Sequence, residues 1–124
     1  MKFNIDKKDK YVLISTTIEK LDAQHAPELK SELVFLSKNG VKNIIINLEQ
    51  TRYCDSSGLS ALLVANRLCK DSEGSFVLTG LQPSVEKLIS ISQLTNVLNI
   101  TPTVNEAIDI IFMEEVGRDV EDDS

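Results

Sequence analysis

Apolar residues along this chain repeat with two different periods, one typical of buried strands and one typical of amphipathic helices. Short β-branched or alternating runs predict strands, whereas apolar residues three and four positions apart predict helices. The predicted strands are residues 3–5, 11–18, 41–48, 75–79 and 97–100. The predicted helices are residues 26–38, residues 57–70, a segment that begins at Pro83 and a segment that Thr103 caps.

The order of these elements, ββαβαβαβα, predicts an α/β fold with a mostly parallel five-stranded sheet and about four helices. Strands that alternate with helices become parallel neighbours through right-handed crossovers. Only the first strand, which a tight turn at residues 7–10 joins to the second, is expected to run antiparallel. A chain of 124 residues fits one domain, which we place at residues 1–115.

The net charge of -6 is concentrated at the carboxyl end of the chain. Residues 114–124 carry six acidic side chains and one arginine, which leaves residues 1–113 close to neutral. We therefore expect residues 116–124 to form an acidic, mobile tail. A nearly neutral domain with no tryptophan and 5% aromatic residues offers no basic stripe and no stacking platform, so we expect no nucleic-acid partner.

The sequence predicts neither a metal site nor a membrane-spanning helix. The two cysteines, Cys54 and Cys69, and the single histidine form no zinc-ligand pattern, so we expect neither a metal nor a cofactor. No apolar run reaches the roughly 18–20 residues of a membrane helix, and the first residues lack the apolar region of a signal peptide. We therefore expect a cytoplasmic domain without membrane insertion.

Two loops contain the candidate chemistry, because the ligand and partner sites of such sheets collect beyond the carboxyl ends of the strands. The first loop, Glu19-Lys20-Leu21-Asp22, follows the second predicted strand. The second loop, residues 53–59, follows the third predicted strand. If these two strands are parallel, both loops open at the same edge of the sheet, and Asp22 and Ser56 belong to one surface.

The tetrapeptide Asp55-Ser56-Ser57-Gly58 has two interpretations. Asp and Ser favour helix N-caps and Gly permits a tight turn, so the segment can simply begin the next helix, with Ser57 as a cap. Alternatively, the segment presents hydroxyl groups at the edge of the sheet. A phosphate on Ser56 would then lie near free backbone N–H groups and the positive end of a helix dipole.

The motif Asp55-Ser56-Ser57-Gly58-Leu59, with Leu21-Asp22 and Ala26-Pro27-Glu28-Leu29 upstream, resembles the STAS domain family and, within it, the anti-sigma-factor antagonists. The resemblance covers about residues 1–115 and agrees with the predicted order of elements. It implies the STAS fold and a bacterial regulator of transcription that is not an enzyme.

The resemblance also implies a mechanism, partner switching. The first serine of the motif, here Ser56, is phosphorylated by a histidine-kinase-like ATPase that is also an anti-sigma factor. The unmodified antagonist binds this serine kinase and releases the sigma factor, phosphorylation breaks the complex, and a metal-dependent serine phosphatase resets it. The residues that the resemblance assigns to partner binding are Asp22, Asp55, Ser56, Ser57 and Gly58.

The sequence departs from the family's pattern in both loops. Glu19 stands where the family often has glycine, so we expect the first loop to have a different shape. Arg52, Tyr53 and Cys54 are bulkier or more polar than the residues commonly found before the motif. Cys54 is either a reactive thiol near a helix N-terminus or a small apolar residue buried at the end of a strand.

Two other functions compete with the regulator. STAS domains also serve as adapter subunits of lipid-transport ATPase complexes or of stress-signalling assemblies, which need a binding face but no reversible phosphorylation. An enzyme is the second alternative, because Asp22, His25 and Ser56 are the residue types of a hydrolase triad. The Gly-x-Ser-x-Gly motif of such hydrolases is absent, and we expect no catalytic activity.

Overall fold

The computed structural model describes residues 2–122, and within them strands and helices alternate as the apolar pattern predicts. The strands are β1 (Phe3–Lys7), β2 (Val12–Thr16), β3 (Lys20–Leu21), β4 (Ile44–Asn47), β5 (Tyr53–Cys54), β6 (Phe76–Thr79) and β7 (Asn99–Thr101). The helices are α1 (Ala26–Lys38), α2 (Ser56–Asp71), α3 (Pro83–Ile91) and α4 (Val104–Asp122).

Five of these strands form one sheet in the order β1-β2-β4-β6-β7. β1 pairs with β2 in the antiparallel direction, and the other pairings in this sheet are parallel. In the middle of the sheet Ile14 lies opposite Ile46, and Ile46 lies opposite Leu78. The predicted α/β fold, with a mostly parallel five-stranded sheet and four helices, is therefore confirmed.

Helices cover both faces of this sheet, but unequally. The larger apolar core joins the sheet to α1, α2 and α3, and Leu33 and Leu62 are among its fully buried members. On the opposite face, α4 packs Ile111 against Ile45 and Val77. Because successive residues of a strand point to opposite faces, β4 contributes to both cores, as its continuous apolar run predicts.

A second, two-stranded sheet was not expected, since both of its strands lie in segments that we predicted as loops. β3 and β5 pair in the parallel direction, with Lys20 opposite Tyr53 and Leu21 opposite Cys54. Strands of two residues are too short to show an alternating pattern, which explains why periodicity did not find them. Along the chain β3 lies between β2 and α1, and β5 lies between β4 and α2, so their pairing holds the two candidate loops side by side.

Helix α4 extends farther than the sequence pattern predicts. It continues to Asp122, so the domain boundary that we placed at residue 115 falls inside a helix. The mobility expected for residues 116–124 stays a prediction, and residues 123 and 124 lie outside the described residues.

A polar cluster anchors this extension of α4 to the amino edge of the sheet. The Arg118 guanidinium donates hydrogen bonds to Ser75 Oγ at 3.1 Å and to Glu115 Oε1 at 2.8 Å. The amide of Asn43 also donates to Glu115 Oε1, at 2.8 Å, while its own oxygen accepts from the backbone N–H of Ser75. These contacts attach α4 to the residues that directly precede β4 and β6. One of the contributing side chains, Arg118, lies beyond the predicted domain boundary.

Candidate functional site

The pairing of β3 with β5 brings the two candidate loops together. The backbone N–H groups of Arg52 and Tyr53 both donate to the Glu19 carbonyl, at 2.8 and 3.1 Å. The N–H of Asp55 donates to the Leu21 carbonyl at 3.3 Å. Glu19, which replaces a glycine common in the family, therefore contributes its backbone carbonyl to the loop pairing.

Buried hydroxyl groups fix the segment that leads into β5. Thr51 is fully buried, and its hydroxyl donates to the Ile18 carbonyl at 2.8 Å. The same hydroxyl lies 2.6 Å from that of Thr16 at the end of β2. Buried polar groups need such partners, so these bonds define where the second loop starts. Sequence reasoning did not single out Thr51, because one threonine in a polar loop has no distinctive signal.

Asp55 connects the start of α2 to the first loop. It is the N-cap residue of α2, and its Oδ1 accepts from the backbone N–H of Gly58 at 2.9 Å. Its Oδ2 accepts from the backbone N–H of Ala23 at 3.3 Å. One carboxylate thus satisfies a free donor of the helix and bridges both loops. The capping role that we considered for Ser57 was wrong, since Ser57 is already inside the helix.

Ser56 is the first residue of α2 and is exposed to solvent. Ser57, the next residue, is half-buried. Among the described residues, no partner accepts or donates a hydrogen bond at Ser56 Oγ, so the hydroxyl is accessible from outside. Its position at the helix N-terminus also places it near unpaired backbone N–H groups and the positive end of the helix dipole.

Gly58 lies where the backbone of α2 passes closest to β3. A Cβ at this position would overlap the carbonyl oxygen of Leu21 and lie 2.8 Å from the Cys54 sulfur. The residue is buried, and its φ is not positive, so steric crowding alone explains the glycine. The helix can therefore begin directly against the first loop.

Asp22 organises the turn between β3 and α1. Its Oδ1 accepts from the backbone N–H of Gln24 at 3.1 Å and lies 2.9 Å from His25 Nδ1. Partial burial acts to raise the pKa of Asp22, but the hydrogen bonds from His25 and Gln24 outweigh it, and the pKa lies below its ordinary value of 3.8. Asp22 is therefore ionised at neutral pH.

The three residues of the hydrolase alternative do not form a triad in the described part of the chain. His25 pairs with Asp22, but no hydrogen bond joins its ring to Ser56. A serine nucleophile needs a base within hydrogen-bond reach, at about 2.6–3.2 Å. Here the imidazole serves the turn before α1, and the serine hydroxyl points to solvent without a base.

A shallow depression of about 380 Å³ opens between the two loops and is lined in part by the residues that directly precede Ser56. Lys20 and Tyr53 form one side of it, with the Lys20 ammonium 6.0 Å from the centre of the tyrosine ring. Asp22 and Asp55 line the same depression. We did not predict a role for Lys20, because its contact with Tyr53 depends on the register of two strands that the sequence does not reveal.

Cys54 also faces this depression, but its environment suits packing rather than reaction. Burial, together with the charge of Asp55, raises the pKa of the Cys54 thiol to about 12. A reactive cysteine needs a lowered pKa. Of the two interpretations of Cys54, the structure therefore favours the small apolar residue.

The described residues contain no group of three or more histidine, cysteine, aspartate or glutamate side chains arranged to hold a metal ion. None of the helices within residues 2–122 combines the length and apolar character of a membrane span. The site instead presents an exposed hydroxyl, two carboxylates and a cation–aromatic pair. Of these groups, the tyrosine is of a type enriched in protein interfaces, and the charged groups are of the kind found at their polar rim.

The family model and the relatives found by comparison with known proteins agree on one family. The model of the STAS domain family matches residues 3–107. A Bordetella bronchiseptica protein named "Putative anti-sigma factor antagonist BtrV" is 29% identical over 105 residues, which cover 85% of this chain and 87% of that protein. The anti-sigma-B factor antagonist of Staphylococcus aureus is 26% identical over 102 residues, covering 81% and 94% of the two chains.

A solved structure has the same fold over most of the chain. The Bacillus cell fate determinant SpoIIAA in its phosphorylated form superposes with a TM-score of 0.70 and 25% sequence identity, covering 88% of this chain and 98% of that one. The predicted resemblance and fold are therefore confirmed.

Proposed function

Because the chain belongs to the STAS domain family, we propose that it is an anti-sigma-factor antagonist regulated by phosphorylation of Ser56. One observation carries the proposal. Ser56, the residue that matches the family's phosphoserine, is exposed at the first position of α2, directly after the Asp55 cap that joins both loops. The names of the relatives from Bordetella bronchiseptica and Staphylococcus aureus support the same role.

The proposed partner of the unmodified protein is a serine kinase of the histidine-kinase-like ATPase type, which is also the anti-sigma factor. Asp22, Asp55, Ser56 and Ser57 belong to the contact surface, and we add Lys20 and Tyr53. Gly58, which the resemblance also assigned to partner binding, is buried, so its role is to let α2 begin close to the first loop. The kinase supplies ATP, and this chain supplies only the Ser56 hydroxyl. A metal-dependent serine phosphatase removes the phosphate. Because the proposed kinase needs ATP, we place the protein in the bacterial cytoplasm.

Phosphorylation of Ser56 would act by electrostatics at this surface. The phosphate adds about -1.5 to -2 charges at pH 7. At the N-terminus of α2 that charge is tolerated by the folded protein, because the helix dipole and free N–H groups favour an anion. In the complex the same charge must be desolvated beside Asp55 and Asp22. A loss of about 3–4 kcal/mol would weaken binding by two to three orders of magnitude.

Capture of partners from native lysate tests this proposal. The baits are the wild-type protein, Ser56→Asp, Ser56→Ala and, as a matched control, Ser90→Asp, which changes an exposed serine of α3. We expect the wild type, Ser56→Ala and Ser90→Asp to retain a histidine-kinase-like ATPase that Ser56→Asp retains poorly. Transport ATPase subunits held equally by all four baits would instead support the adapter function and contradict the switch.

A further inference from the structure

The outer face of α4 is apolar along its carboxyl-terminal half. Ala107 and Ile111 face the sheet and are fully buried. The opposite side of the helix carries Phe112, Val116 and Val120, spaced four residues apart, and all three are exposed. Met113 lies on the same side and is 73% exposed. Phe112 packs edge-to-face on Tyr11, with 6.5 Å between the ring centres, at one end of this apolar stripe, 112–120. A helix face that meets only water is normally polar, so the exposed apolar side chains of Met113, Val116 and Val120 indicate a partner outside the isolated chain.

Negative charge surrounds this apolar stripe. Asp109 and Asp119 lie on the exposed side of α4, and neither makes an ion pair among the described residues. Three further acidic residues, Glu121, Asp122 and Asp123, follow in the sequence. Two such stripes facing each other would bring like charges together. The stripe is therefore complementary to a partner surface that is apolar and flanked by positive charge.

Helix α1 presents a surface of this kind. Val34 and Phe35 are exposed on its outer face, Phe35 by 58%, and form an open apolar surface, called here the α1 groove, that is lined by residues of this helix alone. Lys30 and Lys38 border the groove, and no carboxylate lines it. Within the described residues neither lysine makes an ion pair. The acidic residues of α1 line a separate depression, where Glu28 pairs with Lys2.

We propose that the apolar stripe of α4 in one copy of this chain docks on the α1 groove of a second copy. The two surfaces match in apolar character and are opposite in charge. Because α1 and α4 lie on opposite faces of the sheet, they cannot meet within one molecule. The contact is head-to-tail, so a bound pair still has one free α4 stripe on one copy and one free α1 groove on the other, and the assembly grows beyond a dimer.

Few side chains take part in this contact, so the association is weak and depends on concentration and salt. It is independent of the function proposed for Ser56, because neither surface contains that residue. The stripe also lies outside residues 3–107, the part of the chain that the family model matches.

Sedimentation velocity of the full chain over a wide range of concentration tests the proposal. The variants are Phe35→Glu in the groove, Val116→Lys in the stripe and, as a control, Ile91→Lys, which replaces an exposed apolar residue of α3. We expect wild type and Ile91→Lys to exceed the dimer mass at high concentration. Phe35→Glu alone and Val116→Lys alone should remain monomeric, with unchanged circular dichroism spectra.

A mixture of the two monomeric variants gives the decisive result. Phe35→Glu keeps an intact stripe and Val116→Lys keeps an intact groove, so the mixture should form dimers and grow no further. A wild type that stays monomeric at every concentration would overturn the proposal. Association of Phe35→Glu at the wild-type level, together with loss in Val116→Lys, would also overturn it, because the stripe would then pair with itself.

Discussion

The backbone of Gly58 lies directly against the carbonyl group of Leu21, with no space between them for a Cβ atom. Leu21 ends β3 in the first loop, and Gly58 lies in the first turn of α2, after the second loop. The same Leu21 carbonyl accepts the N–H of Asp55. This contact sets how closely Ser56 can lie to the first loop, and the proposed partner surface depends on it.

Gly58→Ala should therefore destabilise the protein and distort the site. Overpacking of this kind costs roughly 1–3 kcal/mol, and the helix must move away from β3 to accommodate the methyl group. The matched control is Gly117→Ala in α4, where a Cβ meets nothing within 4 Å. That change should stabilise the helix by about 0.5–1 kcal/mol. Urea denaturation measures both, and equal stability of Gly58→Ala and wild type would refute the steric explanation.

Arg118 should contribute measurably to stability, although it lies beyond the boundary predicted from sequence. Removing its hydrogen bonds to Ser75 and Glu115 in Arg118→Ala should cost about 1–2 kcal/mol. Arg67→Ala is the control, because the Arg67–Asp71 pair is largely exposed, and such pairs contribute well under 1 kcal/mol. If both variants lose equally little stability in urea, the extension of α4 is not anchored as described.

The contribution of Glu115 should depend on pH. Hydrogen bonding from Asn43 lowers the pKa of Glu115, partial burial opposes this, and Arg118 and Lys42 lower the pKa further, below its ordinary value of 4.5. A carboxyl group whose folded pKa is lowered stabilises the protein fully above its unfolded pKa and loses that effect as pH falls through the folded value. Wild type should therefore exceed Glu115→Gln in stability near neutral pH.

The difference between wild type and Glu115→Gln should shrink below about pH 4.5. Thermal melts of both proteins across this pH range check the expectation. A difference that stays constant down to the lowest pH would show that the carboxylate charge makes no contribution.

Both cysteines should be nearly inert in the native protein. Burial raises the pKa of Cys54 and of Cys69 from 9.0 to about 12, so at pH 8 the thiolate fraction is roughly a thousandfold below that of a free thiol. Alkylation with iodoacetamide, followed by mass spectrometry, should proceed slowly in the native state and rapidly in denaturant. Rapid native labelling of Cys54 would restore the reactive-thiol interpretation.

The five-stranded sheet and the larger helices were predictable because each shows its own apolar period. Runs such as Ile44-Ile45-Ile46 and the spacing of Leu29, Leu33 and Leu36 depend on local geometry alone. The presence of Asp22 and Ser56 at one edge followed from parallel pairing. The direction of that pairing was itself predictable, because a helix connects the two strands.

The features that escaped prediction all depend on contacts between distant residues. β3 and β5 consist of two residues each and exist only because they pair across a separation of more than thirty positions. The Lys20–Tyr53 contact follows from that pairing. The extension of α4 past residue 115 is held by Arg118 against Ser75, a partner that charge counting cannot identify. The acidic composition of the end of the chain therefore suggested a tail where the structure has a helix.

The affinity of the captured kinase for this protein, with and without one phosphate on Ser56, tests the central claim most directly. The kinase is first incubated with ATP, and mass spectrometry locates the phosphate. Calorimetry then compares the two forms, with Ser56→Ala as a binder that cannot be modified. We predict a single phosphate on Ser56 and binding weaker by two to three orders of magnitude. Equal affinity of the two forms, or a phosphate on Ser56→Ala, would contradict the account.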